Sequence, residues 1–189
     1  MALTYSENTP LGTLAPPFTL LGTQDGVSER SFTLEEFRGA KALLVAFICK
    51  HCPYVVAIQQ RLADFARDFA DRDVAVVAIC SNDADHYPED SFENLKIQHR
   101  QQGFIFPYLV DNTQEVAKAY GAVCTPDFFL FDGDFRLHYH GRLDDNWREP
   151  SKVTVSDLRQ ATLAVLLGQP ARLDQIPSMG CSIKWRQSR

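Results

Sequence analysis

Two stretches of the chain are apolar at every position, Ala42-Leu43-Leu44-Val45-Ala46-Phe47-Ile48 and Val74-Ala75-Val76-Val77-Ala78-Ile79-Cys80. Their lack of alternation predicts strands covered on both faces. Between them Val55, Ile58, Leu62, Phe65 and Phe69 recur at three and four, with Gln59, Arg61, Asp64, Arg67, Asp68 and Asp71 on the other side. That period predicts a half-buried helix starting at or just before Pro53 and ended by Asp73, because proline's fixed φ and missing N–H are tolerated in a first turn. Strand, helix, strand in this order is a right-handed crossover between parallel strands.

The flanking segments extend this unit. Around a short strand at 18–21, Pro10-Leu11-Gly12 and Ala15-Pro16-Pro17 act as breakers, and the lead-in reads as an extended N-terminal β-hairpin. Thr33-Leu34-Glu35-Glu36 has capping-box spacing and predicts one short helix closed by Gly39. After the acidic loop that follows Ser81-Asn82-Asp83, the pattern predicts a helix over 90–101, a strand over 104–110 and a helix over 113–120. Asp132-Gly133 joins strands at 127–131 and 135–140, and in the second of these Arg136, His138 and His140 fall on the wet side. A last helix starts at Thr154-Val155-Ser156-Asp157 and ends near Gly168. The fold expected is α/β: a central mixed sheet, helices on both faces and an N-terminal hairpin. Residues 1–189 read as one domain, with a core at about 11–168 and a tail at 169–189 that has no periodicity.

Composition excludes several classes of protein. At 189 residues, 45% hydrophobic and 23% charged, the chain has enough apolar side chains for a core. A net charge of −5 with no basic block argues against nucleic-acid or anionic-membrane partners. The Lys184, Arg186 and Arg189 cluster reads as a solvated tail. No apolar run approaches the ~18 residues of a membrane span, and no basic-then-apolar leader opens the chain, so a cytoplasmic location is expected.

Five cysteines are too few for a disulfide scaffold and odd in number. Cys49 and Cys52 form a CxxC pair where a buried strand hands over to a helix N-terminus. Unpaired N–H groups and the positive end of the helix dipole favour a thiolate there, and neighbouring Lys50, with His51 when protonated, pushes the same way. Zinc needs about four ligands, and His138-x-His140 offers no convincing completion of the set, so no metal is expected. Cys80 reads as a small buried hydrophobe. Cys181 is either a third redox thiol that folds back on the pair or a surface cysteine in a docked tail. His86 and His99 read as surface residues, and Asp144-Asp145 as a solvated turn.

The junction resembles that of the thioredoxin superfamily, and Val123-Cys124-Thr125-Pro126 is similar to the cis-proline loop that faces the CxxC pair in that fold. Residues 12–20 and 34–39 resemble the opening of the redoxin branch, the alkyl hydroperoxide reductase/thiol-specific antioxidant relatives. More narrowly, Phe47-Ile48-Cys49-Lys50-His51-Cys52-Pro53-Tyr54, Ser81-Asn82-Asp83, Thr125-Pro126-Asp127 and Gly180-Cys181-Ser182-Ile183-Lys184-Trp185 look like those of a group of bacterial redoxin-like proteins. The resemblance implies a thioredoxin-like fold and a thiol-disulfide oxidoreductase. In it Cys49 is the exposed nucleophile, Cys52 the inner resolving thiol, and Pro126 a cis-proline shaping the substrate groove beside Lys50, His51, Pro53 and Thr125. Cys124, in the loop that would face the pair, is either an additional redox thiol or a packing residue. Its partners would be a protein or small-molecule disulfide and a thiol reductant, with no prosthetic group.

Two departures keep other activities open. Leu43 stands where such reductases often carry a buried carboxylate. Val45 and Cys49 replace the proline and threonine of the peroxiredoxin pattern, leaving only Cys52-Pro53. The alternatives are a thiol peroxidase with Cys52 attacked, resolved by Cys49, Cys124 or Cys181, and a redox-inactive protein that uses the fold for binding.

Overall fold

Side chains of a strand alternate between its two faces, and in strand β4 (Ala42–Phe47) both sets are buried. Leu44 and Ala46 meet one apolar layer, and Leu43, Val45 and Phe47 meet the other. A computed structural model describes residues 3–187. Before β4 come β1 (Leu3–Tyr5), β2 (Thr19–Thr23) and β3 (Arg30–Thr33); after it come α1 (Pro53–Phe69), β5 (Val74–Cys80), α2 (Phe92–Gln102), β6 (Tyr108–Val110), α3 (Glu115–Tyr120), β7 (Cys124–Thr125), β8 (Asp127–Asp132), β9 (Leu137–Gly141), α4 (Asp157–Leu166) and β10 (Met179–Ser182).

Seven strands form one mixed sheet in the order β3-β2-β6-β5-β4-β8-β9. The pairs β4/β5 and β5/β6 are parallel, as the crossover pattern predicts, and β8 returns antiparallel beside β4. One face is covered by Ile58, Leu62 and Phe65 of α1, Leu95 of α2 and Leu158 of α4. The other carries Ala117 and Tyr120 of α3 with Phe18, Phe32 and Leu34 from the N-terminal hairpin. The capping box is present at Thr33, whose N–H donates to Glu36 Oε1 at 2.8 Å.

Several expectations are corrected. The strand expected over 104–110 shortens to β6 because Pro107 has no N–H to give the ladder, although Phe104 and Phe106 remain buried. His140 is not on a wet face. It is buried, stacks on Phe129 at 3.9 Å and pairs with Asp127 at 3.0 Å, because the segment around Gln175 covers this edge and accepts the His140 N–H. His99 is also buried, its Nε2 bonded to the Phe106 carbonyl. Asp144 is buried in an ion pair with Arg61, while Asp145 holds the N–H and hydroxyl of Thr154.

The largest correction concerns the tail. β10 lies between β1 and β7 in a second, three-stranded sheet, with Cys181 opposite both Leu3 and Thr125. Beyond it the Lys184 N–H donates to Asn82 Oδ1, the Asp83 N–H to the Lys184 carbonyl, and the Arg186 N–H to Gln114 Oε1. Lys184 and Arg186 are therefore docked on the loops that follow β5 and β6; Arg189 lies outside the described residues.

Candidate redox site

The parallel arrangement brings the carboxyl end of β4 against the N-terminus of α1. Pro53 is the first helical residue and Cys52 its N-cap. The Thr125-Pro126 peptide is cis and carries Thr125 across both sulfurs. Thr125 Oγ1 lies 3.4 Å from Cys49 Sγ, and the Cys52 thiol reaches the Thr125 carbonyl at 3.2 Å. Cys49 is not exposed as the resemblance implies. Both residues of the pair are fully buried, in one apolar cluster with Cys181 of β10, which runs along β7.

The two thiols differ in charge preference. Hydrogen bonding to Cys49 lowers the Cys52 pKa most, opposed by burial and helped by the Cys181 thiol and the backbone N–H groups of Val55 and Cys181; together they bring it to about 5. Cys52 makes no regular cap hydrogen bond, so the Val55 N–H acts as a nearby dipole at the helix N-terminus. The Thr125 carbonyl favours the protonated thiol, and the donors outweigh it. Cys49 moves the other way, raised by its hydrogen bond to Cys52, by burial and by the charge of Asp90. Of the two, Cys52 is the thiol whose surroundings favour the thiolate, and Cys49 the one whose surroundings favour the protonated form.

Lys50 and His51 are held by Asp90, which the sequence pattern marks only as the start of the helix over 90–101. Asp90 ends a short 3₁₀ turn after β5, and its carboxylate is fully buried. Oδ1 accepts the N–H groups of Lys50 and His51 at 2.8 and 3.1 Å. Oδ2 accepts from Asn82 Nδ2 at 2.7 Å and lies 2.5 Å from His51 Nδ1. The Lys50 ammonium is bonded to Asn94 Oδ1 at 2.7 Å, and the His51 ring stacks on Tyr87. The Lys50 side chain is thus engaged by Asn94, and the His51 ring by Asp90 and Tyr87.

Cys49, His51 and Asp90 present ligand atoms within 4.8 Å of one another, the spacing of a metal set. The Asp90 oxygens accept four donors, His51 Nδ1 among them, so hydrogen bonds tie His51 to Asp90 within this cluster. Cys124 is buried, but its thiol points to the Pro126 carbonyl at 3.9 Å rather than to either sulfur of the pair. Burial raises Cys80 and Cys124 above the ordinary thiol value. Cys181 is buried too, pushed up to about 12 by burial and by its hydrogen bond to Cys52. A cavity of about 570 Å³ between β9, α4 and the segment at 169–176 contains none of these residues.

A mixed sheet with a dithiol at a strand-to-helix junction and a facing cis-proline is the thioredoxin-like arrangement. A thiol:disulfide interchange protein of the thioredoxin family from Chlorobium tepidum shares the fold at a TM-score of 0.63, with 18% identity over 85% of this chain and 99% of its own. The chain belongs to the AhpC/TSA family, whose model matches residues 11–140. It is similar over almost its whole length to a hypothetical protein from Sinorhizobium meliloti (49% identity, 98% of this chain and 100% of that one, TM-score 0.91). An uncharacterized conserved protein from Geobacillus kaustophilus is similar at 45% identity (100% and 99%, TM-score 0.92). Comparison with curated proteins gives no match. Among the described residues no helix is long and apolar enough to cross a membrane.

Proposed function

We propose that the protein is a thiol-disulfide oxidoreductase working through the Cys49/Cys52 pair in a reducing compartment, the cytoplasm. The observation that carries this reading is the placement of the pair: Cys52 is the N-cap of α1, and Thr125 lies across both sulfurs, its hydroxyl 3.4 Å from Cys49 and its carbonyl 3.2 Å from Cys52, in surroundings that lower the Cys52 pKa and raise that of Cys49. A thiolate is the form that attacks a disulfide, and it also leaves readily.

In this reading the roles implied by the resemblance are exchanged. Cys52 S⁻ attacks one sulfur of a substrate disulfide, forming a mixed disulfide and releasing the other sulfur as a thiolate. Cys49 then gives up its proton, attacks the Cys52 sulfur and releases the second substrate thiol. The chain ends with a Cys49–Cys52 disulfide and two fewer electrons, and a thiol reductant restores the dithiol. His51 and Asp90 present side-chain atoms within 4.8 Å of the Cys49 sulfur, and in this reading they take the place of the carboxylate that is missing at Leu43. Thr125 and Pro126 keep the two sulfurs in register.

The same ionised Cys52 favours a second reading, reduction of a hydroperoxide, in which Cys52 takes the distal oxygen as a sulfenic acid and Cys49 condenses with it to release water. The test is turnover of hydroxyethyl disulfide or hydrogen peroxide with dithiothreitol as donor. Cys52→Ser should abolish it. Unchanged turnover in Cys52→Ser would overturn both readings.

A further inference from the structure

In the thioredoxin-like arrangement the backbone before the cis-proline borders the groove where a partner chain would lie. Here that edge is already paired. β10 runs antiparallel to β7 with Cys181 opposite Thr125 and Ser182 opposite Cys124. The approach is so close that a Cβ on Gly180 would stand 2.0 Å from the Thr125 carbonyl oxygen, so only glycine fits. β1 seals the outer edge of β10, and Asn82, Asp83 and Gln114 fasten the residues that follow. Cys181 thus occupies the position of a partner's cysteine. Its thiol and its N–H both act on the Cys52 sulfur.

We propose that β10 is a built-in stand-in for a partner chain: it limits the site to small oxidants, and Cys181 forms an internal disulfide with Cys52 after the oxidant has reacted. This rests on the reading of Cys52 as the attacking thiolate. Cys52 S⁻ attacks a small disulfide RSSR and expels RS⁻, or attacks a hydroperoxide ROOH and expels the alkoxide, which is protonated to ROH. The product is Cys52–S–X, with X being SR or OH. Cys181 then attacks the Cys52 sulfur, its S–H proton leaves with X as RSH or water, and a Cys52–Cys181 bond remains. Two thiols have lost two electrons and the oxidant has gained them. In the native chain Cys49 exchanges into this bond at Cys52, giving Cys49–Cys52 and returning Cys181 to a thiol. Groove occupancy and chemistry are therefore one device: the strand that excludes large substrates also carries a second resolving thiol.

Cys49→Ser isolates this step. The reduced variant receives one equivalent of hydroxyethyl disulfide in one arm and of hydrogen peroxide in another, and its thiols are mapped by mass spectrometry after alkylation. A Cys52–Cys181 disulfide in either arm is expected, and the arm that gives it identifies the oxidant. Adding Cys181→Ser or Cys181→Ala should leave the adduct on Cys52 and slow its clearance at least about tenfold. Insulin, whose disulfides lie in a folded chain, should react with the unmodified protein at least about tenfold more slowly than hydroxyethyl disulfide. A persistent adduct on Cys52 with Cys181 fully alkylated in both arms, or insulin reacting as fast as the small disulfide, would overturn the proposal and leave a Cys49–Cys52 couple intact. No adduct on Cys52 in any arm would overturn the underlying reading with it.

Discussion

Asp90 Oδ2 lies 2.5 Å from His51 Nδ1 inside the fold, and the other oxygen of the same carboxylate holds the N–H groups of Lys50 and His51. One buried side chain from the loop after β5 thus fixes the two residues between the cysteines. Asn82 continues the link: it donates to Asp90 and accepts from the Lys184 N–H just beyond β10. The CxxC turn, the loop after β5 and the C-terminal strand form one hydrogen-bonded unit.

Asp90→Asn keeps the shape but replaces charge-assisted bonds with neutral ones and puts an NH₂ where one oxygen accepted donors. Hydrogen bonds to a charged group contribute about 1.5–3 kcal/mol, and urea unfolding should show a loss of that order. Because the charge of Asp90 raises the Cys49 pKa, the pH profile of Cys49 alkylation should also move down. A stability change without movement of that profile would contradict the electrostatic role.

Gly180→Val tests the docking of β10 from the other side. The added side chain meets the Thr125 carbonyl, so the strand must leave the groove. Hydrogen exchange at 179–182 should speed up, and Cys52, deprived of the Cys181 donors, should titrate higher than about 5. Protected amides in this segment would show that the strand tolerates a side chain at this position.

The thiols also set a pH dependence of stability. Cys52 is lowered from 9.0 to about 5 in the folded chain. Its ionisation contributes stability that is fully present above 9.0 and is lost as the pH falls toward 5. Cys49, Cys80 and Cys124 are raised and act oppositely, contributing below 9.0 and losing that contribution as the pH rises beyond it. Urea unfolding of the reduced protein should show stability increasing from pH 5 toward 9.0, and Cys52→Ser should flatten the increase. An equally steep rise in that variant would assign the dependence to other groups.

Much of this fold is legible along the chain because its central signals are local. The uninterrupted apolar runs of β4 and β5 and the three-and-four spacing of α1 require no knowledge of distant residues, and they place Cys49 and Cys52 at a strand-to-helix junction. β10 is different. Met179-Gly180-Cys181-Ser182 is short, has no period, and becomes a strand only because β1 and β7 offer backbone partners from far away in sequence. Asp90 is hidden for a similar reason: the pattern reads it only as the start of a helix, and its four donors come from Lys50 and His51, both far away in sequence, and from Asn82. His140 shows the limit of alternation: the pattern selects its face, but only the returning tail decides whether that face meets water.

The central claim is that Cys49 and Cys52 form a reversible dithiol centre. It is tested most directly by equilibrating the unmodified protein across a range of thiol-disulfide buffers and mapping every cysteine at each potential. A single two-electron transition is expected, with Cys49 and Cys52 joined on the oxidised side and Cys80 and Cys124 alkylated throughout. Five cysteines that remain free at every potential, with Cys52 alkylated no faster than an ordinary thiol, would contradict it.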